Sequence, residues 1–190
     1  YIPLGIPKIY RLCANYLGSE IMKYEIRQEF AFDTHTVISA MLSPEIVSFL
    51  AKEMKSLLAI ELLERSENGD RITRRVRYRI HPVIENIGPR KIPPEVFEWI
   101  EHSSFHRKTF IMQYENVPTK EKIRKFFENR GEIRFVNTSG GSLRIMTGEL
   151  KIHFPLLGGM AEKIIYRKAS EILDEEAAAL RKYLSSDTTP

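Results

Sequence analysis

The chain has 190 residues, 43% of them hydrophobic and 28% charged, with 29 Lys and Arg against 25 Asp and Glu for a formal net charge of +4. That length and apolar content suffice for one domain with a sizeable core and exclude an intrinsically disordered chain. A single cysteine, Cys13, excludes an intramolecular disulfide, and no uncharged apolar run reaches the about 20 residues of a membrane-spanning helix.

Residues 1–21 read as an extension ahead of the folded domain, with Met22 as the domain's expected first residue. Ile9, Leu12, Cys13, Tyr16 and Leu17 sit at helical spacing between Pro7 and Gly18, which predicts a short amphipathic helix. Such a helix docks on its own domain, on a partner protein, or on a membrane surface as a peripheral contact. The expected setting is soluble and reducing: cytoplasmic, or an organelle matrix where a presequence precedes Tyr1.

MKYEIRQEFAF (22–32) alternates cleanly, with Met22, Tyr24, Ile26, Gln28, Phe30 and Phe32 on one side, and predicts a strand with one covered face. Asp33 and Thr34, then Ser43-Pro44-Glu45, are helix starts, so two short helices are expected between 34 and 54. LLAIELLERS (57–66) and DRITRRVRYRI (70–80) flank Asn68-Gly69, a strong hairpin signal. After a linker rich in Pro and Ile (81–95), further strands are expected at 96–104 and 108–117. The polar segment 119–131 is expected to connect, partly as helix, because Ile123, Phe126 and Phe127 have helical spacing.

GEIRFVN (131–137) and SLRIMTGELKIHF (142–154) make a last hairpin around Ser139-Gly140-Gly141. In the final strand Leu143 and Ile145 share one phase while Leu150, Ile152 and Phe154 share the other, so a bulge is expected at Thr147-Gly148. After Pro155 and Gly158-Gly159, apolar residues recur three or four apart through Ile164, Ile165, Ala169, Ile172, Leu173, Ala177, Leu180 and Leu184. A helix of roughly 25 residues at about 1.5 Å each spans about 40 Å. Strands joined by hairpins favour an antiparallel sheet, and the closing helix carries the matching apolar stripe, so it is expected to lie across the curved sheet.

The segments MKYEIRQEF, PPEVFEWIE (93–101), RGEIRFVNTSGG (130–141), GELKIHFPLLGGMAEKII (148–165) and EAAALRKYL (176–184) carry a resemblance. Residues 22–184 resemble a mostly bacterial family of uncharacterised function within the START-like, birch-pollen-allergen-like (SRPBCC) superfamily. The chain is also similar, at greater distance, to the PRELI-like lipid-transfer family, whose C-terminal helix lacks the GGMAEKII style of opening. The resemblance implies an α+β helix-grip fold over 22–185, with 186–190 as a disordered tail. It further implies a cavity between sheet and C-terminal helix that holds a hydrophobic small molecule or lipid, such as a sterol, a quinone or a polyketide-like compound.

The inward phase of the strands then supplies candidate ligand-binding residues: Phe30, Val76, Tyr78, Trp99, Phe110 and Met112, followed by Tyr114, Phe135 and Ile145. Ile165, Ala169 and Ile172 are the candidates from the helix, and every one of these positions equally suits ordinary core. Gln28 and Arg74 share the phase of their strands' apolar residues. A buried arginine needs an anion or carbonyl, so Arg74 either fixes a ligand head group, pairs with an internal carboxylate such as Glu101, or sits at the sheet rim.

Arg75, Arg77 and Arg79 fall on the solvated face opposite Glu61 and Glu64, so the arginine run does not predict a nucleic-acid partner. Cys13 and the histidines at 35, 81, 102, 106 and 153 form no catalytic or metal-ligand pattern, and the two Gly-Gly pairs fit no phosphate loop. No cofactor is expected. Three functional readings stay open: a non-catalytic carrier of a hydrophobic ligand, an accessory subunit docked through residues 1–21, and a cyclase-type enzyme.

Overall fold

The alternating segments form seven long strands: β1 (Ile21–Phe30), β2 (Leu57–Asn68), β3 (Arg71–Ile80), β6 (Glu98–His106), β7 (Ile111–Pro118), β8 (Phe127–Thr138) and β9 (Gly141–Ile152). They close into one sheet in the order β1-β9-β8-β7-β6-β3-β2, with every neighbouring pair antiparallel. The computed structural model describes residues 21–82, 85–87, 90–152 and 158–186, with backbone alone at 87, 90, 152 and 158–165. Two-residue strands β4 (Asn86–Ile87) and β5 (Arg90–Lys91) pair only with each other. The helices are α1 (Thr34–Leu42), α2 (Glu45–Glu53), the single turn α3 (Glu121–Arg124) and α4 (Gly158–Ser186).

β1 and β2 occupy opposite edges of the sheet, so α1 and α2 must carry the chain from one edge to the other. Local chemistry makes that turn. Asp33 Oδ1 accepts the Thr36 N–H at 3.1 Å to start α1, and Ser43 Oγ accepts the Ile46 N–H at 3.2 Å as Pro44 turns the chain into α2. Gly69, at φ +56°, makes the β2–β3 turn as the Asn-Gly signal predicts. Ala177, Leu180 and Leu184 of α4 are buried, so the long helix sets its apolar stripe inward, packed against α1 and α2.

The C-terminal half of α4 is pinned at several points. Gln28 Nε2 donates to Leu173 O at 2.9 Å, and the Glu175 carboxylate accepts the N–H groups of Lys55 and Ser56 at 2.6 and 3.1 Å. Arg181 donates twice to Glu29 O, at 3.0 and 2.8 Å, and Lys182 pairs with Glu53 at 2.6 Å. The arginines on the outer face of β3 are paired as expected, Arg75 with Glu64 at 3.3 Å and Arg77 with Glu61 at 3.0 Å.

Several expectations need correction. β9 keeps an unbroken register with both β1 and β8, so there is no bulge at Thr147-Gly148; the irregularities lie in β2 instead. Ser142, Arg144, Met146 and Leu150 therefore face inward and are buried, whereas Ile145 lies in the outward phase. Val96 and Phe97 belong to a 3-10 turn (Pro94–Phe97) ahead of β6, and Phe110 is in the β6–β7 turn at φ +56°. Phe127 starts β8, so the connector from 119 is helical for one turn only. The expected N-terminal helix (1–20) and the last residues of the tail (187–190) lie outside the described residues.

Candidate ligand cavity

The antiparallel register arranges inward side chains in rows that cross the sheet. One row runs Tyr24 (β1), Gly148 (β9), Gly131 (β8), Tyr114 (β7), Ser103 (β6), Arg74 (β3). The adjacent row runs Leu150, Asn129, Asn116, Glu101, Val76. Two paired glycines in the first row remove the side chains that would separate the tyrosines, and the Tyr24 and Tyr114 hydroxyls meet over them in a short hydrogen bond. Asn129 Nδ2 donates to Tyr24 Oη at 3.0 Å, and Asn116 Nδ2 donates to Asn129 Oδ1 at 2.6 Å. A polar chain thus crosses the middle of an otherwise apolar face.

Above these rows, between the sheet, α2 and α4, lies a cavity of about 260 Å³. Its apolar wall includes Ile46, Val47 and Leu50 of α2, Met54, Leu57, Ile80 and Phe97, with Ala169, Ile172 and Leu173 of α4 above. Tyr78 and Trp99 stack in that wall, with ring centroids 5.4 Å apart and planes 11° from parallel. Its polar part comprises Tyr24, Arg74, Glu98, Glu101, Tyr114, Asn116, Asn129 and Arg144 from the sheet, with Tyr166, Lys168, Ser170 and Glu176 from α4. Tyr78, Trp99 and Glu101 point inward yet keep accessible surface, as side chains bordering an unfilled space do.

The electrostatics of that polar part follow from enclosure. Burial raises the Glu101 carboxyl above its ordinary value more than the nearby Arg74 charge lowers it, which favours the neutral acid. Burial likewise raises the Tyr78, Tyr24 and Tyr114 hydroxyls, so all three remain protonated donors. The two buried arginines differ. Arg144, 1% exposed, donates Nε and Nη2 to Gln28 Oε1 and both Nη atoms to the Glu176 carboxylate, at 3.1 and 2.6 Å. Arg74, 8% exposed, donates Nη1 to Met41 O, and its Nε is without a partner, as are Asn116 Oδ1 and Tyr166 Oη, whose side chains also line the cavity.

Of the sequence-predicted site residues, Arg74, Tyr78, Trp99, Met112, Tyr114, Ala169 and Ile172 come together on this cavity. Five others lie elsewhere. Phe30 is clasped by guanidiniums, with Arg144 and Arg181 Cζ 5.6 and 5.0 Å from its ring centroid. Phe135 packs edge-on against Phe105 at 6.4 Å, Phe110 meets His35 of α1 at 5.1 Å, and Val76 is fully buried behind the wall. Ile145, on the outer face, is displaced by the phase of β9. The Ile165 side chain lies outside the described residues. Of the alternatives open for Arg74, the ion pair with Glu101 is not formed; Nη1 donates to Met41 O.

Sequence reading missed Tyr24, Asn116, Asn129, Arg144 and Glu176. The usable signal was phase: Asn116 shares that of Met112 and Tyr114, and Arg144 that of Met146.

A seven-stranded antiparallel sheet gripping a long C-terminal helix is the helix-grip fold. Residues 25–184 match the model of the family described as "Protein of unknown function (DUF2505)", and the chain belongs to that family. No curated protein matches the sequence at a significant level. Among solved structures, TTHA0849 from Thermus thermophilus is 14% identical with a TM-score of 0.63, over 88% of this chain and 99% of that one. The Zhui aromatase/cyclase from Streptomyces sp. R1128 is 12% identical with a TM-score of 0.63, over 89% and 96%. A STAR-related lipid transfer protein fragment from Xanthomonas axonopodis is 14% identical with a TM-score of 0.59, over 90% of each chain. At such identities the likeness is one of fold.

Proposed function

We propose that this protein binds a hydrophobic ligand, without catalysing a reaction, in the cavity between the sheet and α4. The observation that carries this reading is that Tyr78 and Trp99, large side chains directed inward from β3 and β6, border about 260 Å³ of unfilled space. A core of ordinary packing density leaves few voids larger than a water molecule. That volume is close to the lower end of the ~300–1,000 Å³ typical of ligand sites. Arg74, Tyr78, Trp99, Met112, Tyr114, Ala169 and Ile172 are the proposed contacts. The likeness to a STAR-related lipid transfer protein adds weight to the same class of ligand.

Trp99 is the only tryptophan in the chain, so its fluorescence reports directly on the cavity. The expected result is a small apolar molecule released from the purified protein in native mass spectrometry, and a change in Trp99 emission when it is restored. A chain that carries nothing, and whose emission stays fixed across a panel of apolar compounds, would sink this reading.

A further inference from the structure

Resting on that reading, we propose that the ligand is a medium-chain amphiphilic acid, its head group on Arg74 and its tail along Tyr78, Trp99 and the apolar side of α2. The two inward arginines make the case by contrast. Arg144 has a carboxylate, Glu176, and an amide oxygen, Gln28 Oε1, filling its donors. Arg74 stands in the cavity wall with a backbone carbonyl on Nη1, an unpartnered Nε, and no carboxylate within ion-pair distance among the described residues. A guanidinium cannot shed its proton, and a buried cation without an anion is costly, so this edge of the cavity favours a negatively charged group. A carboxylate suits it, since the fork of an arginine matches two oxygens.

Glu101, one row along the sheet, fits the same picture. Burial raises its carboxyl above the ordinary value, so at pH below that raised value it does not compensate Arg74 and has an O–H for an incoming carboxylate. The charged and titratable groups lining the cavity with it are Arg74 and Tyr78 from β3, Tyr24 from β1, Glu98 from β6, Tyr114 from β7, Arg144 from β9, and Tyr166, Lys168 and Glu176 from α4. Once ionised, Glu101 would both neutralise Arg74 and repel the acid, so acid binding weakens as pH rises. Size sets the tail. A cavity of about 260 Å³, close to the lower end of ligand sites, suits a single short alkyl chain such as that of octanoate. A sterol or a two-chain phospholipid is far larger.

The test titrates the full chain with octanoate, octanol and octylamine, following Trp99 emission at mildly acidic and mildly alkaline pH. Octanoate is expected to bind about ten- to a hundredfold more tightly than octanol, the range of one charge-assisted bond, and octylamine least. Arg74→Gln should erase the preference for acid over alcohol while leaving octanol binding in place, and Arg74→Lys should retain part of it. Glu101→Gln should flatten the pH dependence, an arm that stands even where the Arg74 variants fail to fold. Equal binding of octanoate and octanol by the unaltered protein overturns the acidic head group but leaves the cavity reading intact. Binding of none of the three, with other apolar compounds also inert, overturns both.

Discussion

Gly131 and Gly148 face each other across the β8–β9 ladder, and each is occupied from above by a tyrosine hydroxyl. A Cβ on Gly148 would lie 2.5 Å from Tyr24 Oη and 2.8 Å from Arg130 O; one on Gly131 would lie 2.6 Å from Tyr114 Oη and closer still to Thr147 O. Gly148→Ala should therefore lift Tyr24 off the sheet, break its bond to Tyr114, and cost about 1–3 kcal/mol, the usual range for overpacking. Urea unfolding of the variant checks this, and an unchanged midpoint would argue against the tyrosine bridge. Glu101 makes a second residue-scale prediction. Its folded-state pKa is raised above the ordinary 4.5 by burial, so the folded state holds a proton the unfolded state has released. The stabilisation is complete below the ordinary value and is lost as pH climbs through the raised one. Replacing the carboxyl by a neutral amide removes that loss. Glu101→Gln should thus gain on the unaltered chain as pH rises, seen as a melting temperature that falls with pH in the one and holds level in the other.

At the scale of elements, α4 is joined to the sheet by a buried ionic clamp. Gln28 on β1, Arg144 on β9 and Glu176 on α4 satisfy one another, and Gln28 also holds Leu173 O. Truncating Glu176 to Ala leaves Arg144 buried without its anion, which should cost about 3–5 kcal/mol. The paired change Arg144→Met with Glu176→Leu should recover much of that loss, because the desolvation of both charges disappears with the pair. A double-mutant cycle by chemical denaturation reads the coupling, and additive losses would show that the clamp does not act as a unit. The same clamp explains where sequence reading failed. The stripe of α4 was legible because Ala177, Leu180 and Leu184 are apolar residues meeting a core. β9 was illegible because its inward positions include Ser142, Arg144 and Gly148, chosen for a polar clamp and for the tyrosines, while Leu143 and Ile145 go outward. Periodicity finds an apolar face; it inverts when the inward face is polar by purpose. Hence the false bulge at Thr147-Gly148, and hence a candidate site that held Ile145 and lacked Arg144.

For the whole molecule, the order β1-β9-β8-β7-β6-β3-β2 leaves α1 and α2 spanning the gap between the edge strands, and α4 then meets both helices. Those helix contacts hold α4 at its C-terminal half, where Ala177, Leu180 and Leu184 are buried, while Ala169 and Ile172 stand over the cavity. On the proposed reading, a bound ligand supplies the hydrophobic contact that fills the space beneath α4. At a concentration about a hundredfold above Kd, a ligand that binds only the folded state adds about 2.7 kcal/mol, which for a chain of this size raises Tm by about 5–10 °C. A larger side chain at Ala169 should mimic that occupant. Ala169→Leu projects into the cavity from α4, so it should stabilise the empty protein by about 0.5–2 kcal/mol and at the same time remove the ligand-induced shift in Tm. Both effects come from the same displaced volume, so they must appear together in paired melting curves with and without ligand. A variant that still shows the full shift would mean the ligand sits somewhere other than beneath α4.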